Sequence, residues 1–361
     1  TAARAPTFAA NDGRGDASIP DSVPFDLTHA AWGGKPPPKD LIEDTALSRF
    51  LTQRAVQLQI YYFEFNLDET SKTWLGEFMR PQEADRLRSD YHGLEMLPTK
   101  DSSSFVGRML TEPDSNVLVK KPMGCAAGTG NGGLFGDSGY KRSQNPYLQQ
   151  KYFEYTDEIR PVKIANDLML IREQITEEMG DDLKPFRAEN TALLTALEGS
   201  TGTVDALKLL SGEEVLTTPP DVSQGDSSPF RLANLDLIRL LVTRQALTTT
   251  LKNDGPRTEW LREFSNTKFY PLSMQHSKWT AGWDLEPICD EFLRGVIEAG
   301  ERDVAVRLLR ARETIFRRWA GEDGQGMVRA VQAEHRNWSS WHLERVLCVS
   351  DEECPGEEEL S

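Results

Sequence analysis

Gly128-Thr129-Gly130-Asn131-Gly132-Gly133 has the glycine spacing of a dinucleotide-binding loop. Such a loop works by opening a helix whose N-terminal amides face a pyrophosphate. The residues that follow, Leu134-Phe135-Gly136-Asp137-Ser138-Gly139, do not propagate a helix. No lysine followed by serine or threonine completes a phosphate-binding loop either. The run reads instead as a flexible loop or as one that folds against a partner. Its flank favours the partner, because aromatic-rich irregular segments are typical of interfaces. Tyr140, Arg142, Tyr147, Tyr152, Phe153 and Tyr155 are the candidate contact residues there. Gly136-Asp137-Ser138-Gly139 matches four letters of the trypsin-like serine proteases, but those are all-β and this chain has a helical pattern. Gly-x-Ser-x-Gly, the nucleophile elbow, is absent.

The five histidines are His29, His92, His276, His335 and His342. None form His-x3-His or His-Glu-x-x-His. His335 and His342 lie seven apart, on roughly one face of a helix. They are candidate ligands for a metal or for the magnesium of a chlorophyll; aromatic packing of a helix end beside Trp338 and Trp341 is the alternative. Trp279, Trp283, Trp338 and Trp341 read as core or as a pigment-contacting cluster. No cofactor is predicted outright, and chlorophyll or carotenoid contact stays open. The cysteines are Cys125, Cys289, Cys348 and Cys354, too few and too scattered for a disulfide framework. They point to a reducing compartment, with a local Cys348–Cys354 bridge as an alternative. Cys289 reads as a core residue.

One charged patch stands out. From Arg302 to Arg318, six arginines face only Asp303 and Glu313, a net of +4. Val304, Leu308, Ala311, Ile315 and Trp319 supply the buried stripe of a helix, which leaves Arg307, Arg310, Arg317 and Arg318 outward. Such a face suits carboxylates, phosphates or anionic lipid heads. Internal salt bridging to the chain's own acids is the competing reading.

The chain as a whole carries 41 basic and 57 acidic side chains, a net of −16. That field repels phosphate backbones, so nucleic acid is not an expected partner; it can steer basic partners, with solubility alone as the plainer reading. No run is long and apolar enough to span a membrane; residues 232–251 come nearest and contain Asn234, Asp236, Arg239 and Arg244.

The pattern that must position these residues is all-α, an irregular multi-helix bundle with long loops that order on binding and one short strand pair. Residues 1–38 form an extended arm ending in Pro36-Pro37-Pro38. Residues 39–110 form an N-terminal helical region, with helices over 39–65, from about 68 to 79, and over 82–97. Residues 111–160 form a glycine- and aromatic-rich loop, with a strand at Val117-Leu118-Val119. The irregular stretch begins as early as residue 98. Residues 161–349 form a C-terminal helical domain, and 350–361 an acidic tail. Within that domain Ile164, Leu168, Ile171, Ile175 and Met179 make one stripe. Gly180 breaks it, Leu183 to Leu197 continue it, and Gly199 caps it. Further helices are expected over 203–210, 230–251, 284–299, 301–320 and 327–346.

Three stretches resemble plastid proteins of algae with red-lineage plastids. They are Trp74-Leu75-Gly76-Glu77-Phe78-Met79, the run from Pro161-Val162-Lys163-Ile164 to Glu173-Gln174-Ile175, and Leu237-Ile238-Arg239-Leu240 to Gln245-Ala246-Leu247. The opening residues, with Arg4 and no acid before Asp12, have the composition of an organellar transit segment. The resemblance implies a plastid protein, stromal or peripheral to the thylakoid. It implies a non-pigment extrinsic or linker subunit whose partners are membrane-embedded photosystem or antenna subunits, and it carries no catalytic residue. The alternatives are a soluble enzyme with a glycine-rich lid and a site built from scattered residues, or a transient assembly factor.

Overall fold

The computed structural model describes residues 45–79, 102–122, 152–199, 202–211, 227–253, 255–275, 288–321 and 324–352, with positions 38, 41, 42 and 94. Among them are eleven helices and one two-stranded antiparallel sheet, in agreement with the all-α reading and its single strand pair. The chain divides into two units, 38–342 and the pair 1–37 with 343–361.

The 38–342 unit is organised on α4 (Pro161–Glu198), a helix of 38 residues. Pro161 opens it at a position where the missing N–H costs nothing, and Gly199 closes it with its N–H on the carbonyls of Thr195 and Ala196. Gly180 does not break the helix. A mid-helix glycine costs only about 1 kcal/mol, and the stripe continues through Met179, Leu183 and Phe186, all buried. Pro185 is also carried inside α4, between the buried Leu183 and Phe186.

α1 (Thr45–Phe65), α3 (Ser102–Thr111), α5 (Gly202–Leu210), α6 (Arg231–Lys252) and α10 (Arg302–Ala320) pack along α4, and α6 also packs on α10. α2 (Glu69–Met79) packs on α1; α7 (Thr258–Lys268) and α8 (Tyr270–Gln275) follow α6. α9 (Ile288–Glu298) joins α5, α6 and α10. α11 (Gly326–Glu352) is the last helix. Leu237, Ile238, Val242 and Leu247 on α6 and Leu309 and Phe316 on α10 are each at most 1 % exposed. Full burial of one such side chain contributes about 1.5–3 kcal/mol.

Three expectations are corrected. The first helix starts at Thr45 rather than 39, because the amides of Leu41 and Ile42 both donate to Glu334 Oε1, at 2.5 and 2.9 Å. The stretch from residue 98 is not irregular throughout: Phe105, Val106, Met109 and Leu110 give α3 a buried face. The 111–160 segment is not one loop, since its ends are β1 (Ser115–Pro122) and β2 (Tyr152–Ile159). The helix expected over 82–97, the glycine run at 124–139, Trp279, Trp283, Cys125 and Cys354 lie outside the described residues.

α1 departs most from a surface helix, because every residue from Phe50 to Ile60 is buried. Its polar side chains are therefore tied inside. Arg54 donates through Nε to Asn234 Oδ1 (2.6 Å) and through Nη1 to Gln57 Oε1 (2.7 Å), with its guanidinium 5.1 Å from the Phe230 ring centroid. Burial pulls the Arg54 pKa down to about 9.

Candidate functional site

β1 and β2 run antiparallel in register from Ser115↔Ile159 to Pro122↔Tyr152. Side chains alternate between the two faces of a ribbon. One face carries Val117 and Val119 with Tyr155, Asp157 and Ile159. Val119 and Ile159 are buried there, the others half-buried, and α2 packs against β2. The other face carries Asn116, Leu118 and Lys120 opposite Glu158, Thr156 and Glu154, and all six are exposed. Leu118, on this face, is 53 % exposed; Phe153, at the end of the ribbon on the face of Tyr155, is 56 %. Phe153 and Tyr155 touch, ring centroids 5.8 Å apart. Lys120 Nζ lies 2.8 Å from Glu154 Oε1, directly across the strands, and Arg160 pairs with Glu158. Among the described residues no third strand joins this sheet.

This ribbon takes in three of the contact residues expected from sequence, Tyr152, Phe153 and Tyr155, on a strand rather than a loop. Tyr140, Arg142 and Tyr147 lie outside the described residues.

The α10 arginines are placed apart from the ribbon and answer largely to the chain itself. Arg310 pairs with Glu198 (2.9 Å), Arg317 with Glu313 (3.0 Å), and Arg318 donates to Gln245 Oε1 (3.0 Å). Arg307 is half-buried rather than outward, and it donates to the Pro256 carbonyl. Arg312 is 2 % exposed, 5.8 Å from the Phe186 ring centroid. Three of the four expected side chains thus remain solvent-facing, each with an internal partner.

His335 and His342 do fall on one helix, α11. His335 Nδ1 lies 2.5 Å from Glu173 Oε1. Among the described residues no group of three His, Cys, Asp or Glu side chains gathers as a metal site. Trp338 and Trp341 are both buried and pack edge to face at 5.4 Å, the aromatic packing that is the alternative to ligation. Cys289 is buried too, and loss of solvent pushes its thiol pKa up to about 11. It is protonated at neutral pH and is no nucleophile there.

Beside His335, an ion pair escapes any reading of the sequence. Arg172 Nη1 lies 2.8 Å from Glu334 Oε2, with side chains 5 % and 1 % exposed. Glu334 also holds the Leu41 and Ile42 amides, and Arg172 Nη2 donates to Ser48 Oγ (3.0 Å). One carboxylate thus ties α4, α11 and the chain entering α1. A second, half-buried set gathers Arg239 between Glu189 (3.1 Å) and Asp290 (3.7 Å), 5.0 Å from the Phe186 ring centroid. An open groove of about 910 Å³ runs along α4 and α5, lined by Lys184, Arg187, Thr191, Thr195, Asp205 and Leu209 among others. Lys184 and Arg187 are engaged there by Asp181 and Glu313.

No helix of the described residues is long and apolar enough to cross a membrane. Compared with known proteins, the chain matches no protein-family model, no curated protein and no solved structure.

Proposed function

We propose that this chain is a non-catalytic, partner-binding subunit that bridges larger proteins. The observation that carries this reading is the ribbon: a strand pair with its apolar Leu118 and Phe153 and the acids Glu154 and Glu158 in solvent, mounted on a helical body that holds the Arg172–Glu334 pair inside. Exposed apolar side chains rimmed by charge are the ordinary signature of a protein contact. The end of α11 adds a second such feature. Leu343, Val346 and Leu347, at helical spacing, are 61, 54 and 63 % exposed. The narrower form of the proposal is an extrinsic linker of a plastid photosystem–antenna complex, and it rests on the resemblance of residues 74–79, 161–175 and 237–247.

The test is gentle native fractionation of plastids from cells that make the protein, with mass spectrometry of each fraction containing it. Stable co-migration with a large membrane complex through moderate salt is the expected result and names the partner. Migration as a free chain of 40.6 kDa would sink the proposal. Presence on assembly intermediates alone would make the protein an assembly factor.

A further inference from the structure

Among the described residues the two large apolar side chains most open to solvent stand two apart in the turn between α1 and α2: Phe65, 74 % exposed, and Leu67, 79 %. The turn is a Schellman motif. The Leu67 amide donates to the Glu64 carbonyl (3.2 Å) and the Asp68 amide to the Phe63 carbonyl (2.9 Å). That pattern puts Leu67 where the backbone turns left-handed, and its φ is 58°. Glycine is the usual residue there, because a Cβ strains that conformation. The isolated fold is therefore poorly served by this leucine: its backbone is strained and its side chain stays in water. Strain of this kind at an exposed site points to a use outside the chain. Phe65 is braced rather than loose. Its ring stacks on Tyr61 (6.5 Å), Tyr61 meets the buried Phe230 edge to face (5.3 Å), and the buried Arg54 guanidinium lies over Phe230. A tip mounted on the core in this way has little left to order when it binds.

The charge around the tip decides what suits it. α1 has no basic residue in its last turn, where the helix dipole is negative. Glu64, Asp68 and Glu69 flank Phe65 and Leu67 along the chain. Lys72, 3.2 Å from Glu64 and 3.6 Å from Glu69, is one base shared between two of these three acids, so the tip stays negative. We propose that Phe65 and Leu67 plug an apolar pocket on a partner protein, and that lysine or arginine lines the rim of that pocket. This deepens the partner-binding proposal and rests on it. The same acids repel an anionic membrane, and a second copy meeting tip to tip would set acid against acid.

The test uses the full chain with p-benzoylphenylalanine in place of Phe65, added to gently solubilised membranes of cells that make the protein and then irradiated. The expected product is an adduct with a protein of the large complex, mapped by mass spectrometry to apolar residues flanked by lysine or arginine. Leu67→Gly in the same chain should lower the adduct yield at least about tenfold. Its urea midpoint should be no lower than that of the wild type, because glycine suits the left-handed turn. Glu69→Lys should lower the yield about threefold. A yield unmoved by Leu67→Gly, or an adduct on an acidic surface, on lipid or on a second copy of the chain, would overturn the proposal. So would a midpoint clearly lowered by Leu67→Gly, which would place the leucine in the service of the fold. Flotation of the wild-type chain with phosphatidylcholine vesicles, with or without phosphatidylglycerol, that Leu67→Gly abolishes would assign the tip to a membrane instead. A Leu67→Gly chain held on the large complex as firmly as the wild type would remove the tip and leave the partner-binding reading standing; a wild-type chain that runs free would remove both.

Discussion

Two ion pairs in this molecule share one distance and almost nothing else. Arg172–Glu334 and Lys120–Glu154 are both 2.8 Å apart, but the first is 5 % and 1 % exposed and the second 55 % and 50 %. The buried pair has given up its water. Its charges persist only because each is also held by further groups, Ser48 on one side and the Leu41 and Ile42 amides on the other. The exposed pair keeps its water and contributes little to folding. The helical body thus commits its charge to one internal geometry, while the ribbon holds its charge in pairs that stay in water, Lys120–Glu154 and Arg160–Glu158.

The largest effect should come from breaking the buried pair. Arg172→Met leaves Glu334 charged and unpaired in the core, and urea unfolding at neutral pH should show a loss of about 3–5 kcal/mol. Next come the apolar counterparts. Leu247→Ala, at a site of 0 % exposure, should cost about 2–5 kcal/mol, whereas Leu118→Ala on the ribbon should stay within about 0.5 kcal/mol. A comparable loss at both leucines would mean that the ribbon is part of the core.

Gly180→Ala should go the other way. An added Cβ meets only Val328 Cγ2 at 3.7 Å, an ordinary contact, so relief of the glycine cost should stabilise the protein by about 0.5–1 kcal/mol in thermal or urea melts. A destabilised variant would show that α4 needs a glycine at this point.

A pH series sharpens the contrast between buried and exposed charge. Desolvation raises the Asp182 pKa despite its 3.0 Å partner Arg231. A carboxyl whose folded pKa lies above its unfolded value favours folding when protonated. Relative to Asp182→Asn, the wild-type chain should therefore be most stable below the ordinary carboxylate range and lose that advantage as pH rises through the raised value. An advantage that grows with pH would contradict the burial of this carboxyl.

The smallest effect belongs to the exposed pair: Lys120→Ala should cost about 0.2–1 kcal/mol at low salt and less at high salt.

What the sequence made legible follows from which contacts are local. The stripe Val304, Leu308, Ile315 and Trp319 is periodic within one segment, and α10 follows it from Arg302 to Ala320. Val117-Leu118-Val119 announced β1 in the same way. β2 was hidden, because Tyr152-Phe153-Glu154-Tyr155-Thr156-Asp157-Glu158-Ile159 mixes aromatic and acidic side chains and becomes a strand by pairing across residues 123–151. The interior of α1 was hidden for a related reason. Gln53, Arg54 and Gln57 look like a solvated face, and only Asn234 and Phe230, some 180 residues on, show why Arg54 is tolerated inside. Glu334 was one of 57 acids until its partners on α4 and before α1 were in place.

The most direct test of the ribbon as the partner surface is native fractionation of cells expressing Leu118→Asp with Phe153→Asp in place of the wild-type chain, alongside urea unfolding of both purified proteins. With unfolding midpoints unchanged, the variant should leave the large complex and run as a free 40.6 kDa chain while the wild type stays bound. A variant equally well folded and still fully retained on the complex would show that the partner is held elsewhere.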